Sequence, residues 1–141
     1  MVAQIVKIAM GDVVPGIRQG GQVRALLTPK SVGATAGFLG TLELSAGEHV
    51  AEHYHPHSDE FIFLVRGSLL VRAGEQRIEL LAGDAVMVPR LRRHRLENQG
   101  SEPVLAVFHI GPLAPSPELG HVDTEPVPFP HAAPPTVGGG R

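Results

Sequence analysis

Apolar and polar residues alternate along most of the chain, or gather in short apolar runs bounded by Gly, Pro or Asp. A period of two, repeatedly interrupted by turn residues, is the pattern of short strands with one buried face. It predicts strands over residues 3–9, 23–28, 36–45, 49–55, 60–66, 69–73, 76–81, 85–89, 94–98 and 104–110. The breaks hold Pro15-Gly16, Gly20-Gly21, Ala46-Gly47, Arg66-Gly67, Ala73-Gly74, Gly83-Asp84 and Gln99-Gly100, residues that turns favour for their backbone freedom or preset φ. No helix of ordinary length is expected. The run Phe61-Ile62-Phe63-Leu64-Val65 is apolar on both faces, as for a strand with a barrel interior on one side and a covering layer on the other. The expected class is all-β, a sandwich or barrel.

From Gly111 onward the composition changes: this stretch holds eight of the thirteen prolines and ends in Gly138-Gly139-Gly140-Arg141. Proline cannot donate to a ladder, so residues 112–141 are expected to form an extended tail outside any ladder, either draped over the domain or a partner subunit or mobile, with Phe129 as its one anchor. Residues 1–111 then make a single domain, consistent with a length of 141 residues. Twelve basic against fourteen acidic side chains leave a charge of −2, which argues against nucleic acid as partner. No apolar run approaches the ~20 residues of a spanning helix. Lys7 and Asp12 interrupt the apolar start, so no signal peptide is expected and a cytoplasmic location is. The absence of cysteine removes thiolate ligands and nucleophiles.

Histidine changes the picture. Four of the eight fall between His49 and His57. In a strand His53 and His55 share a face, with Tyr54 opposite. A turn over 56–59 then returns the chain so that Glu60 opens the next strand within reach of both imidazoles. Two neutral imidazoles and a carboxylate form a ligand set for a first-row divalent cation. A second stretch, Gly83 to Asn98, places His94 at the start of a further strand as an additional ligand. If Glu60 lies outside the coordination sphere, His57 or His109 is the substitute. His49 has the parity of His53 and His55 and is expected at the rim. His121 and His131, in the tail, are expected in solvent. Arg90, Arg92, Arg93 and Arg95 read as a charged loop and strand face rather than an anion site.

These residues resemble the two motifs of the cupins. Gly47, His53, His55, Glu60 and Gly67 match every position of the first motif (47–67). Gly83, Pro89, His94 and Asn98 match the second (83–98), in which Leu91 stands where the family has glycine. Leucine avoids the positive-φ conformation that glycine permits, so the turn there is expected to differ. The resemblance implies a jelly-roll β-barrel with one metal ion held by His53, His55, Glu60 and His94. Zinc is the first expectation, with iron, manganese, nickel or cobalt as alternatives. The run from His53 to Phe61 and the Pro-rich tail further resemble the cupin-type polyketide cyclases of bacterial aromatic pathways, such as those making resistomycin and tetracenomycin.

That resemblance implies ring closure of a poly-β-ketone chain by intramolecular aldol condensation and dehydration. Candidate acid or base groups are His109, His57 and Asp59. A pocket lined by Phe38, Leu42 or Leu44, Ile62, Leu64, Val86 or Met87, Leu96 and Phe108 would suit a large, mostly apolar small molecule bearing oxygens. A dioxygenase or oxidase acting on an enol or phenol shares the ligand set, and a non-catalytic small-molecule binder is a third reading. The exposed edges of such a fold predict a homodimer, with residues 3–9 pairing across a two-fold axis.

Overall fold

The computed structural model describes residues 2–137. Ten strands and a single turn of α-helix follow one another as β1 (Gln22–Leu27), α1 (Pro29–Val32), β2 (Phe38–Leu44), β3 (His49–Tyr54), β4 (Asp59–Arg66), β5 (Ser68–Ala73), β6 (Gln76–Leu81), β7 (Ala85–Val88), β8 (His94–Glu97), β9 (Val104–Gly111) and β10 (Val122–Asp123). They form two antiparallel five-stranded sheets. One has the order β1-β2-β9-β4-β7 and the other β10-β3-β8-β5-β6. The jelly roll is thus a two-sheet sandwich whose ladders stay separate. Among the described residues no helix is long and apolar enough to cross a membrane.

Inward residues follow the pleat. Leu44, Leu64, Leu69, Val71, Val104 and Ala106 are almost completely sealed from solvent and close one end of the sandwich. Gly67, between β4 and β5, has φ +87°, and a Cβ there would lie 2.7 Å from the Pro103 carbonyl oxygen. Both the left-handed turn and the close approach require glycine. Asn98, buried in the second motif, donates to the Leu44 and Glu102 carbonyls at 3.0 and 2.8 Å. Its own Oδ1 accepts from the Gly100 N–H at 3.0 Å. The motif asparagine is therefore a clamp between strands, distant from any chemistry.

Three expectations need correction. Residues 3–9 form no strand; the segment is largely exposed, and the chain first joins the sheet later, at a bridge between Gly16 and Val23. Its apolar residues have no partner strand within this chain to complete a ladder. The C-terminal segment does pair: Val122 and Asp123 lie against Tyr54 and His53. The window from Glu118 to Glu125 contains no proline, so donors are available there. Beyond β10 the segment wraps the domain, with the Thr124 N–H donating to the Glu52 carbonyl, Phe129 N–H to Arg18 and Lys30 N–H to Val137. Phe129 therefore anchors through its backbone, while its ring stays half exposed. The segment runs across the cavity mouth, where Leu113, Ser116, Pro117, Pro134 and Pro135 form part of the wall.

Third, Leu91 adopts φ +71°, the conformation expected to exclude it. Its side chain points outward at 63% exposure, and its N–H donates to the His55 carbonyl at 2.9 Å. The motif turn keeps its shape without its glycine, at a strain on the order of 1 kcal/mol.

Candidate metal centre and cavity

His53, His55, Glu60 and His94 are all buried, and one ligand atom from each lies within 4.8 Å of the others. Two sheets and a loop assemble them. His53 and His94 are cross-strand partners on β3 and β8, His55 follows the end of β3, and Glu60 faces them from β4. Glu60 Oε1 lies 2.9 Å from His94 Nε2 and 3.3 Å from His55 Nε2.

The imidazoles are oriented from behind. His53 Nδ1 meets the Ala51 carbonyl at 2.7 Å, His55 Nδ1 the Gly120 carbonyl at 2.8 Å, and His94 Nδ1 the Arg92 carbonyl at 2.9 Å. A carbonyl only accepts, so each Nδ1 carries the proton and each Nε2 turns its lone pair to the centre. The buried His55 Nε2 has no hydrogen-bond partner. An orphaned acceptor beside a carboxylate and two further Nε2 atoms is the environment a divalent cation satisfies, and the donors fit one.

Electrostatics agree. Burial, followed by the neighbouring His94, His121 and His55, holds the His53 pKa well below 6.5, so this ring is neutral. Burial pushes Glu60 up, but the adjacent His55 and His94 outweigh it and keep the carboxyl well below its usual range. Burial also opposes charge on His55, yet the Glu60 carboxylate and the Gly120 carbonyl raise its pKa above 6.5.

A β-bulge shapes this arrangement. Val50 pairs with Leu96 and His53 with His94, so β3 carries one residue more than β8 between the two pairs. Val50 and His53 consequently both face the cavity, although an odd number of positions apart. His49 is turned to the outer face, which corrects the parity read from the sequence. The bulge also frees the Ala51 carbonyl that orients His53.

His53, His55 and Glu60 of the cluster line a cavity of about 320 Å³, with His94 buried behind them. Apolar walls come from Val23, Ala25, Phe38, Leu42, Val50, Leu96, Phe108 and Ile110. Phe38, Leu42, Leu96 and Phe108 were expected there. Ile62, Leu44 and Leu64 instead belong to the core, and Val86 and Met87 border a separate groove on the outer face.

The candidate acid and base groups lie elsewhere. His109 borders that same outer groove, because Phe108 and Ile110 take the inward positions of β9. His57 is exposed in the turn. Asp59 is pinned outside the cavity by the Arg90 N–H at 2.9 Å, which with the Arg90 side chain lowers its pKa against a small opposing effect of burial. Arg92 donates to the Ala73 carbonyl, and Arg95 pairs with Glu97 and Glu125, as expected of a charged structural face.

What the sequence reading missed is His121. His131 is exposed as expected, but His121 lines the cavity and stacks on His53, with ring centroids 4.4 Å apart and planes 16° apart. Its Nε2 lies 2.7 Å from Asp123 Oδ1, and Asp123 Oδ2 accepts from Arg18 at 2.9 Å. The Gln19 amide nitrogen is 2.7 Å from His121 Nε2 and 3.3 Å from its Nδ1. With the Nε2 proton held by Asp123, Nδ1 is the acceptor. Burial and then the charge of His55 lower the His121 pKa, partly countered by Asp123. The available signal was local: His121 and Asp123, two apart on a proline-free stretch, share a face.

Known proteins resemble this chain closely. The Tetracenomycin polyketide synthase protein TcmJ of Streptomyces glaucescens is 60% identical over 138 residues, covering 98% of this chain and 93% of that protein. Polyketide synthase CurC of Streptomyces cyaneus is 47% identical over 81% of this chain and 74% of its own length. In fold the chain is similar to the polyketide cyclase RemF from Streptomyces resistomycificus, with a TM-score of 0.69 at 18% identity and 91% of each chain covered. Residues 40–110 match the Cupin domain family. Together with the paired sheets and the His-His-Glu-His centre, this match makes the chain a member of the cupin family.

Proposed function

We propose that the protein is a metal-dependent cyclase that closes rings of a poly-β-ketone chain in aromatic polyketide biosynthesis. The observation that carries this reading is the convergence of three imidazoles and one carboxylate beside a cavity whose walls are mainly apolar. The relatives TcmJ and CurC are named as polyketide synthase proteins, which supports a polyketide as the substrate class.

His53, His55, Glu60 and His94 would hold the ion, zinc first. A bound divalent cation supplies Lewis acidity, which lowers the pKa of the C–H between two chelated carbonyls and favours the enolate. The chain's own residues do the rest. Phe38, Leu42, Val50, Leu96 and Phe108 fold the flexible substrate and exclude water, so that one nucleophilic carbon meets one carbonyl; this is mainly an entropic contribution. His121 takes the acid–base role first sought in His109, His57 and Asp59. Its Nδ1 accepts a proton while Asp123 holds the Nε2 proton and Arg18 fixes Asp123.

The test is turnover of a poly-β-ketone substrate by metal-loaded protein with and without dioxygen. Cyclised product in anaerobic buffer is expected, together with loss of rate in His121→Asn at undiminished metal content. Obligatory oxygen uptake would replace the reading with an oxygenase. Tight binding with no turnover would replace it with a binding protein.

A further inference from the structure

The loop before β1 carries a glycine pair whose role in the sequence is only that of a turn. In the fold it presents a side chain to the cavity. The Gly16 N–H donates to the Val23 carbonyl at 2.7 Å and the Val23 N–H to the Gly16 carbonyl at 2.9 Å, which pinches off the turn between them. Gly20 lies at φ +105°, where a Cβ would stand 1.8 Å from the His49 carbonyl oxygen. Only glycine lets the turn press so closely on β3. The turn is fastened at two further points. The Ala51 N–H donates to the Gln19 carbonyl at 2.9 Å and the Phe129 N–H to the Arg18 carbonyl at 3.1 Å. Ala51 is the bulge residue whose own carbonyl orients His53. Gln19 is thus held at the cavity wall on the same framework as the candidate metal centre.

Its amide nitrogen lies against the edge of the His121 ring, 2.7 Å from Nε2 and 3.3 Å from Nδ1. Among the described residues His121 is the only side-chain partner of this amide, so its second hydrogen has no protein acceptor. Two other lining side chains have a hydroxyl to give. Ser58 donates to the Pro112 carbonyl, and Ser116 makes no hydrogen bond to His121. An aldol addition develops charge at two places, the carbon that loses its proton and the oxygen of the carbonyl under attack. His121 and the metal ligands serve the first, and the second needs a donor of its own.

We propose that the Gln19 side-chain amide donates to the oxygen of the carbonyl under attack and keeps that hydrogen bond as the oxygen becomes an alkoxide. The assignment rests on the cyclase reading of the cavity. The electron pair of the deprotonated carbon forms the new carbon–carbon bond, and the carbonyl π pair moves to oxygen. The proton that His121 Nδ1 took from carbon then returns to that oxygen. Once Nδ1 holds the proton it no longer accepts, so the amide N–H facing it is released to the oxygen as charge grows there. The bond given up, at 3.3 Å, is longer than the usual ~2.7–3.2 Å, and little is lost in the exchange. A donor that engages fully only in the transition state raises the rate of the step rather than merely tightening binding.

At saturating poly-β-ketone, zinc-loaded Gln19→Leu should turn over about 100-fold more slowly than the unsubstituted chain, with metal content, circular dichroism and KM little changed. Introduced into His121→Asn protein, the same substitution should slow the residual turnover again by at least ~10-fold, because the amide acts on the substrate and not through the imidazole alone. No further loss in that background overturns the proposal and leaves Gln19 a support for His121. Nuclear magnetic resonance separates the proposal from the cyclase reading. Dibenzoylmethane, an apolar β-diketone, should shift the Gln19 side-chain amide signals of the zinc-loaded protein, identified by their absence in Gln19→Leu. Signals unmoved by an excess of the diketone overturn the assignment of Gln19. Shifted signals without turnover of any poly-β-ketone uphold Gln19 as the carbonyl-binding group and overturn the cyclase reading alone.

Discussion

Strands β2, β4 and β9 each run through two different interiors. At one end Leu44, Leu64, Val104 and Ala106 sit side by side on the inner face of their sheet and are completely or nearly sealed from solvent. At the other end the same inward rows continue as Leu42 and Phe38, as Glu60, and as Phe108 and Ile110, and these stand around a cavity. The packed end is closed by its own side chains. The cavity end is closed by chain from elsewhere, the segment that brings Leu113, Pro117, His121 and Pro135 across the mouth. One pleat thus builds a packed region that stabilises the fold and an open region that holds the candidate site, and the two differ in what fills the space between the sheets.

The sharpest way to break this division is to exchange effects between its halves. Leu64→Ala should cost about 2–5 kcal/mol of stability in urea denaturation, while the folded fraction still takes up metal with unchanged stoichiometry. His94→Gln should do the reverse, weakening metal binding in calorimetric titration at least ~100-fold while the strand signal in circular dichroism persists. If Leu64→Ala abolishes metal uptake, or His94→Gln unfolds the chain, the ends are not separable.

A smaller effect sharpens the picture of the polar end. His55 gains a proton more readily than an ordinary imidazole, because Glu60 and the Gly120 carbonyl outweigh its burial. Glu60 stays ionised and His53 neutral, since both have pKa values below the usual range. As pH falls, His55 is therefore the first of these ligands to protonate, and a protonated Nε2 cannot ligate. Metal affinity should decline about tenfold per pH unit once the pH passes below the raised His55 value, so the decline begins above pH 6.5. An affinity constant from about pH 8 to pH 6 would show that proton competition at His55 is absent.

The smallest effect concerns strain, which also sits at the cavity end. Leu91→Gly relieves the left-handed leucine that supports the His55 loop. Less the entropy cost of glycine, the gain is at most about 0.5 kcal/mol, readable as a small rise in the denaturation midpoint. A loss of stability would mean that the leucine side chain is held by contacts worth more than its strain.

The strands of the sandwich and the four clustered ligands were legible because both rest on short-range rules. Period-two alternation marks β1 to β9, and the spacing of His53, His55 and Glu60 around a turn places them together whichever strands lie alongside. The misread positions share one cause: each depended on a partner distant in sequence. His109 sits on a correctly read strand, but its facing follows from the register of β9 against β2 and β4. His49 was misplaced by a bulge visible only in the pairing of β3 with β8. Residues 3–9 have strand composition but no partner strand in this chain.

By itself, then, the amino-acid order determined the all-β class, the turn positions and the identity of the four clustered His and Glu side chains, since sterics and residue chemistry act over a few positions. Only the folded chain decided which imidazoles face the cavity and that the Pro-rich C-terminal segment closes it. His121 lies sixty-eight positions beyond His53, and their stacking exists because β10 adds to β3. Such a contact is set by the sum of packing and backbone pairing across the whole domain, to which no local pattern gives access.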